Sequence, residues 1–222
     1  MNDAASADLV LASGSPRRRQ LLTEAGFRFE IAQPRVAESS SPLLSLAELT
    51  TCNATRKGLE VARVRADAVV LAADTLVAFE GRSIGKPADW SEAIRILEQL
   101  QGRTHQVCTS VFICSHRGEN AASFAVISHV QFHPLSREQI ESYLARIQPL
   151  DKAGAYAAQG DGSEIIREIR GSFTNVVGLP MEETTHALRA FNVPPSAGAE
   201  AHGRVRQQIS SLFPSGSSQK KA

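Results

Sequence analysis

Apolar and polar positions along the chain fall into short runs whose period switches between two and 3.6, the pattern of strands interleaved with helices. Asp8 to Ser13 reads as a buried strand that leads through a tight loop into a helix, with Ser15 as N-cap, Pro16 at the first helical position and Gly26 just past the end. A second strand is predicted over Phe27 to Ala32, followed by a polar stretch rich in Pro and Ser that runs to Pro42. Ser45 and Glu48 form a capping box, with Leu44 and Leu49 spaced to staple it, so the next helix is predicted to reach about Arg65. Asp67 to Val77 is rich in Val, Leu and Ala and turns at Glu80-Gly81 into a short return strand that ends before Lys86-Pro87. Ala93, Ile94, Leu97 and Leu100 form the core stripe of an amphipathic helix that stops at Gly102. His105 to Cys114 and Ala122 to Phe132 alternate as two long strands around a polar turn. Ser136 and Gln139 then cap a helix carrying Ile140, Tyr143, Leu144 and Ile147. A Gly- and Ala-rich loop, Asp151 to Gly162, leads to a strand over Glu164 to Arg170 and, after a further loop, to a helix with Pro180 at its first position. From Pro194 on, Ser, Gly, Pro, Gln and Lys dominate, so residues 1–193 are expected to form the domain and 194–222 a flexible tail.

Composition narrows the partners. With 222 residues and 42% hydrophobic content, the chain can bury a sizeable core without staples. Lys plus Arg (24) nearly balance Asp plus Glu (23), so a polyanion would have to be met by a local cluster of charge and not by the surface as a whole. Near-neutral charge and only 5% aromatic residues argue against a nucleic-acid platform, which needs stacking side chains. Cys52, Cys108 and Cys114 are odd in number and lack CxxC spacing, as expected of reduced thiols in the cytoplasm. The chain has no run of about 18 apolar residues, and its first residues lack a basic segment ahead of the apolar run, so neither membrane spanning nor export is expected.

Candidate chemistry begins with Asp74, which interrupts an otherwise apolar strand. Burying an unpaired carboxylate costs several kcal/mol, so it must be paired, protonated or metal-bound. A structural salt bridge, or a strand that ends early with Asp74 capping the turn, would satisfy the same pattern. The second feature is the loop from Ser13 to Arg18, where a glycine and a helix N-terminus suit an anion. Arg17, Arg18 and Arg19 oppose the helix dipole in that first turn unless an anion lies between them and the helix end. No GxxxxGK[ST] loop is present, and a solvated basic turn would read alike. Lys57 lies on or beside the apolar stripe of its helix, where a lysine is usually a snorkelling stem, and Lys86 reads by default as a surface loop residue.

Taken in order, these pieces resemble the Maf family of nucleoside triphosphate pyrophosphatases. The resemblance rests on LASGSPRRRQLL at Leu11 to Leu22, Glu38, an A-x-x-K motif ending at Lys57, AADTLV at Ala72 to Val77, GKP at Gly85 to Pro87, GRTHQVCTSV from Gly102, DKAGAYAAQG at Asp151 to Gly160, and GSFTNVVGLP at Gly171 to Pro180. It implies an α/β fold of two lobes around a long twisted mixed sheet with a central nucleotide cleft, commonly as a homodimer. It also implies cleavage of a nucleoside triphosphate between the α and β phosphates with Mg²⁺ or Mn²⁺, in house-cleaning of nucleotide pools. Carried onto this chain, Asp74 would orient or deprotonate the attacking water, and Asp74 and Glu38 would hold the metal. Arg17, Arg18, Lys57 and Lys86 would neutralise the triphosphate, with Ser13 cradling phosphate. Thr75 and Gln159 would contribute to base recognition, with Arg17 affecting substrate choice.

The branch with Gln at the position of Gln159 resembles enzymes acting on dTTP, UTP and modified pyrimidine triphosphates, and the 7-methyl-GTP branch has Glu there. An amide both donates and accepts, which suits the edge of uracil or thymine, whereas an ionised carboxylate only accepts. The chain departs from the family pattern at Ala157-Ala158, where Gly-Ile is usual, at Ser110 for Gly, at Gly58 for Ala, and at Ala37, where an acidic residue is common. The resemblance also leaves a second function class, a nucleotide-binding regulator of septum formation that binds without turnover. The acidic pair Glu38 and Asp74 favours the enzyme, because a pure triphosphate binder has little reason to set carboxylates beside phosphates.

Overall fold

The computed structural model describes residues 8–41 and 43–196. Pro42, the first seven residues and the tail expected from Pro194, apart from 194–196, lie outside the described residues. The chain orders as β1 (Leu9–Ala12), α1 (Pro16–Glu24), β2 (Glu30–Ile31), α2 (Leu46–Ala62), β3 (Val69–Phe79), β4 (Arg82–Ile84), α3 (Trp90–Leu100), β5 (Thr104–Ser115), β6 (Asn120–Phe132), α4 (Arg137–Leu144), β7 (Ile166–Arg170), α5 (Phe173–Val177) and α6 (Met181–Ala190). The strands form one open, mixed, seven-stranded sheet in the order β2-β1-β3-β5-β6-β7, with β4 paired to β3. Both sides of the expected cleft therefore belong to a single α/β sheet.

Local chemistry explains most boundaries. Ser15 accepts the Arg18 N–H as N-cap of α1, and Ser45 and Ser136 each complete a capping box, with Glu48 and Gln139. Helix α1 closes in a Schellman turn, where Gly26 (φ 79°) donates to the Thr23 carbonyl and Phe27 to that of Leu22. That turn drops Phe27 into the core, which explains why β2 covers only Glu30–Ile31 and not the stretch from Phe27. Glu80 and Gly81 both have positive φ, 50° and 75°, as a two-residue hairpin turn between β3 and β4 requires. Helix α2 stops at Ala62, short of Arg65, and Ile147 lies beyond α4. Pro180 is the N-cap of α6, one position ahead of expectation. The five-residue helix α5 was not legible in the pattern of GSFTNVVGLP, being too short to show a period.

Alternation along β3 divides the core between the two faces of the sheet. Val70 and Ala72 pack with Val10, Ala12, Phe112 and Cys114 beneath Ala54 and Val61 of α2. Val69, Leu71 and Ala73 join the larger cluster on the opposite face, with Leu21, Leu22, Val111, Ile113 and Leu188. Among the described residues, no helix is long and apolar enough to cross a membrane.

Gly58, where the family pattern has Ala, has a packing reason: a Cβ there would come within 2.4 Å of the Phe112 ring. Gly58→Ala would gain about 1 kcal/mol of helix propensity. Overpacking a filled core costs about 1–3 kcal/mol, so the expected net effect is destabilisation, measured by urea denaturation. Adding Phe112→Leu to that variant is expected to recover the loss.

Candidate active site

The site arises where the sheet loses a strand. Strand β1 ends at Ala12, paired with Ala72, and β4 first pairs with β3 at Val77. Between them, Ala73 to Leu76 have only β5 beside them, with Asp74 opposite Ser110 and Thr75 opposite Thr109. That break floors a cleft of about 870 Å³ just beyond the carboxyl end of β1, the kind of place where open α/β sheets bind ligands. Ser13, Arg17, Arg18, Glu38, Lys57, Asp74, Thr75, Lys86 and Gln159, all expected from the sequence, line this one cleft. With Asp151 and Lys152 included, five basic side chains face three carboxylates there, although the chain as a whole is close to neutral.

Because neighbouring strand residues face opposite ways, Asp74 and Thr75 serve different walls. Asp74, only 4% exposed, turns toward α2. Lys57 Nζ lies 2.6 Å from Asp74 Oδ1 and 2.5 Å from Glu38 Oε1, and so bridges the two carboxylates. The lysine is thus a partly buried counter-ion, its side chain 11% exposed, and not a snorkelling stem. Asn53, one helical turn earlier, donates from Nδ2 to Asp74 Oδ2 at 3.2 Å. Burial acts to raise the Glu38 pKa, but the hydrogen bond from Lys57 and the charges of Lys57, Lys86 and Arg18 outweigh it and hold the carboxyl below its usual range.

Thr75 faces the arginine wall. Its hydroxyl accepts from Arg18 Nη2 at 3.0 Å, while Arg18 Nη1 donates to Ser13 Oγ (3.2 Å) and Nε to the Gly178 carbonyl (2.8 Å). Three partners fix the guanidinium plane. Burial pulls its pKa down, but an arginine starts so high that it stays charged. Ser13 Oγ also accepts the Ser15 N–H, tying the loop to the start of α1. Arg17 lies 3.6 Å from Asp151, whose carboxylate is also held by Lys152 at 2.5 Å. Arg19 is exposed and does not line the cleft, so two of the three consecutive arginines serve the site.

The far wall carries Gln159, whose side chain has no hydrogen-bond partner among the described residues. Tyr156 supports this wall. Its hydroxyl meets His105 Nε2 at 3.0 Å, and its ring packs edge-on against Phe132 and His105. Burial pushes the His105 pKa down to about 4, so the imidazole is neutral at pH 7. Sequence reasoning missed Asn53, Tyr156 and the Gly178 carbonyl as parts of the site. For Asn53, the one available signal is its four-residue spacing from Lys57.

The donor set fits a hard divalent cation. Two carboxylates converge on a point now held by an ammonium group, and among the described residues no three or more His, Cys, Asp or Glu side chains come together closely enough to hold a metal ion. Mg²⁺ commonly takes one or two carboxylates and completes its shell with phosphate oxygens and water.

A mixed open sheet whose broken middle joins a carboxylate pair to a cationic wall defines an α/β protein with a cleft suited to a small polyanion. The chain belongs to the Maf family: the model of the Maf-like protein family matches residues 8–191. A dTTP/UTP pyrophosphatase of Bacillus velezensis is 42% identical over 185 residues, 83% of this chain and 97% of the relative. Another dTTP/UTP pyrophosphatase, of Halalkalibacterium halodurans, is 41% identical over 181 residues, 82% of this chain and 94% of the relative. A third, of Bacillus cereus, is 40% identical over 83% of this chain and 90% of its own length.

Lys57→Met leaves Asp74 and Glu38 facing each other without their cation. Stability in metal-free buffer is expected to fall by about 3 kcal/mol, the low end for removing one partner of a buried ion pair, because the cleft admits water. Saturating Mn²⁺ is expected to raise the melting temperature more in the variant than in the wild type, since the ion no longer competes with an ammonium group. Equal responses would show that the carboxylates do not share the ion.

Proposed function

We propose that this protein hydrolyses dTTP and UTP, with modified pyrimidine triphosphates as a further substrate class, to the nucleoside monophosphate and pyrophosphate. The observation that carries this reading is the Lys57 bridge between Asp74 and Glu38, set in the same cleft as Arg18 and Lys86. The names of the relatives support the substrate pair. In the reaction, water attacks the α phosphorus, the bond from that phosphorus to the bridging oxygen breaks, and pyrophosphate leaves. Asp74, fixed by Lys57 and Asn53, orients the water and takes its proton. Arg17, Arg18, Lys57 and Lys86 neutralise charge as it moves toward the leaving pyrophosphate, the electrostatic work that dominates phosphoryl transfer. Ser13 and its loop hold phosphate oxygens. Asp74 and Glu38 would hold Mg²⁺ or Mn²⁺, which supplies Lewis-acid neutralisation of the phosphates.

Gln159 supports the pyrimidine preference, because its amide, without a hydrogen-bond partner among the described residues, can donate to one atom and accept from the next along the edge of uracil or thymine. Thr75, which accepts a hydrogen bond from Arg18 in the same cleft, contributes with Gln159 to base recognition in this reading. Residues up to 193 form the catalytic unit in this reading, acting as a homodimer as the family resemblance implies. The three free thiols and near-neutral charge support a cytoplasmic setting and a small nucleotide, not a nucleic acid, as partner.

The test is pyrophosphate release from dTTP, UTP, CTP, GTP, ATP and 7-methyl-GTP with Mg²⁺ or Mn²⁺. Monophosphate and pyrophosphate from dTTP and UTP are expected, and cleavage of none would favour a binding protein without turnover. Asp74→Asn is expected to lower kcat by about 10²–10⁴, the range of a general base, with triphosphate affinity within about tenfold. Gln159→Glu is expected to lower kcat/KM for UTP relative to the other triphosphates, and an unchanged ranking would remove Gln159 from base reading.

A further inference from the structure

Glu38 sits on the long irregular segment between β2 and α2, and its side chain is 55% exposed, so packing alone does not place it opposite Asp74. The segment is instead pinned along one stripe of α2. Glu60 accepts the Arg35 N–H at 2.6 Å, Lys57 holds Glu38, and Asn53 binds Ser39 twice. Asn53 Oδ1 accepts the Ser39 N–H at 2.7 Å, and Nδ2 donates to the Ser39 carbonyl at 3.2 Å, as a neighbouring strand would. The same Nδ2 donates to Asp74 Oδ2 at 3.2 Å, while Lys57 takes Oδ1. Asn53 is 2% and Asp74 4% exposed, so losing the amide would leave Asp74 Oδ2 buried without this partner.

We infer that Asn53 is a positioning residue: one buried amide ties the Asp74 carboxylate to the backbone beside Glu38 and so sets the separation of the two groups. This rests on the reading of Asp74 and Glu38 as the working carboxylates. Lys57 is a charge that an incoming cation must displace or share, whereas the neutral amide keeps its bonds throughout. Orienting partners behind metal-binding carboxylates typically change affinity or activity by about 10–100-fold when removed. An anchor for the loop alone would need only the two bonds to Ser39.

The test compares the full-length wild type with Asn53→Leu, close in size but without polar atoms, and Asn53→Asp, which still accepts from Ser39 but repels Asp74. Three quantities are read: kcat and KM for UTP, Mn²⁺ affinity of the nucleotide-free protein by electron paramagnetic resonance, and amide hydrogen exchange over residues 36–40. Asn53→Leu is expected to lower kcat about 10–100-fold with KM within about threefold, weaken Mn²⁺ about tenfold and speed exchange. Asn53→Asp is expected to lose as much kcat although one bond to Ser39 survives, and it carries the test if Asn53→Leu does not fold. Either folded variant keeping kcat within about twofold, or losing only KM, overturns the inference. A wild type that cleaves no triphosphate ends the pyrophosphatase reading instead. Asn53 is then judged by Mn²⁺ affinity and exchange, and unchanged values in the variants overturn its role.

Discussion

The constraint on which the rest depends is a single charge, Asp74, set in a strand that is apolar on both sides. A carboxylate so little exposed must be compensated locally. Compensation comes from α2, whose Asn53 and Lys57 lie four residues apart on the face that packs over the sheet. Since that face carries the small residues Ala54 and Gly58 beside Asn53 and Lys57, the helix lies close enough for a lysine to reach the strand. Lys57 then recruits a second carboxylate, Glu38, from a segment with no regular structure of its own. One buried charge thus organises a strand, a helix and a loop.

The opposite wall is built on neutral contacts to a charged group. Arg18 is oriented by two hydroxyls and a backbone carbonyl, with no carboxylate among its hydrogen-bond partners in the described residues. Its positive charge therefore stays available to a ligand, whereas Lys57 is already shared between Asp74 and Glu38. The cleft pairs an uncommitted cation with a committed one, on the two faces that adjacent residues of β3 supply. Both are presented where, among the described residues, β3 has a neighbouring strand on one side only, so a ligand can approach its open edge directly.

Much of this was legible in the sequence because the signals are local. Capping boxes, the Pro16 and Gly26 bounds of α1, the Glu80-Gly81 turn and the β5–β6 pair depend on residues a few positions apart. Asp74 stood out because a charge in an apolar run is anomalous at any fold. Lys57 read ambiguously, since a lysine on an apolar stripe looks the same whether it snorkels to water or meets a buried carboxylate far away in sequence. Asn53 gave almost no signal. Its value depends on three hydrogen bonds to two partners, Ser39 on a loop and Asp74 on a strand, that only the folded chain brings together. The family resemblance assembled the site residues in order, but it could not say that Lys57 bridges both acids or that Arg19 points away.

Gly58 and Phe112 form a lock across the helix-sheet interface. An alanine at position 58 would collide with the ring, while shrinking the ring first would leave a hole under a glycine already poor at holding a helix. Neither step is easy in isolation, so the two positions are expected to change hands together as lineages diverge. Segments swapped between relatives across this boundary would then clash or gape although each half folds well at home, one residue away from the lysine on which the cleft depends.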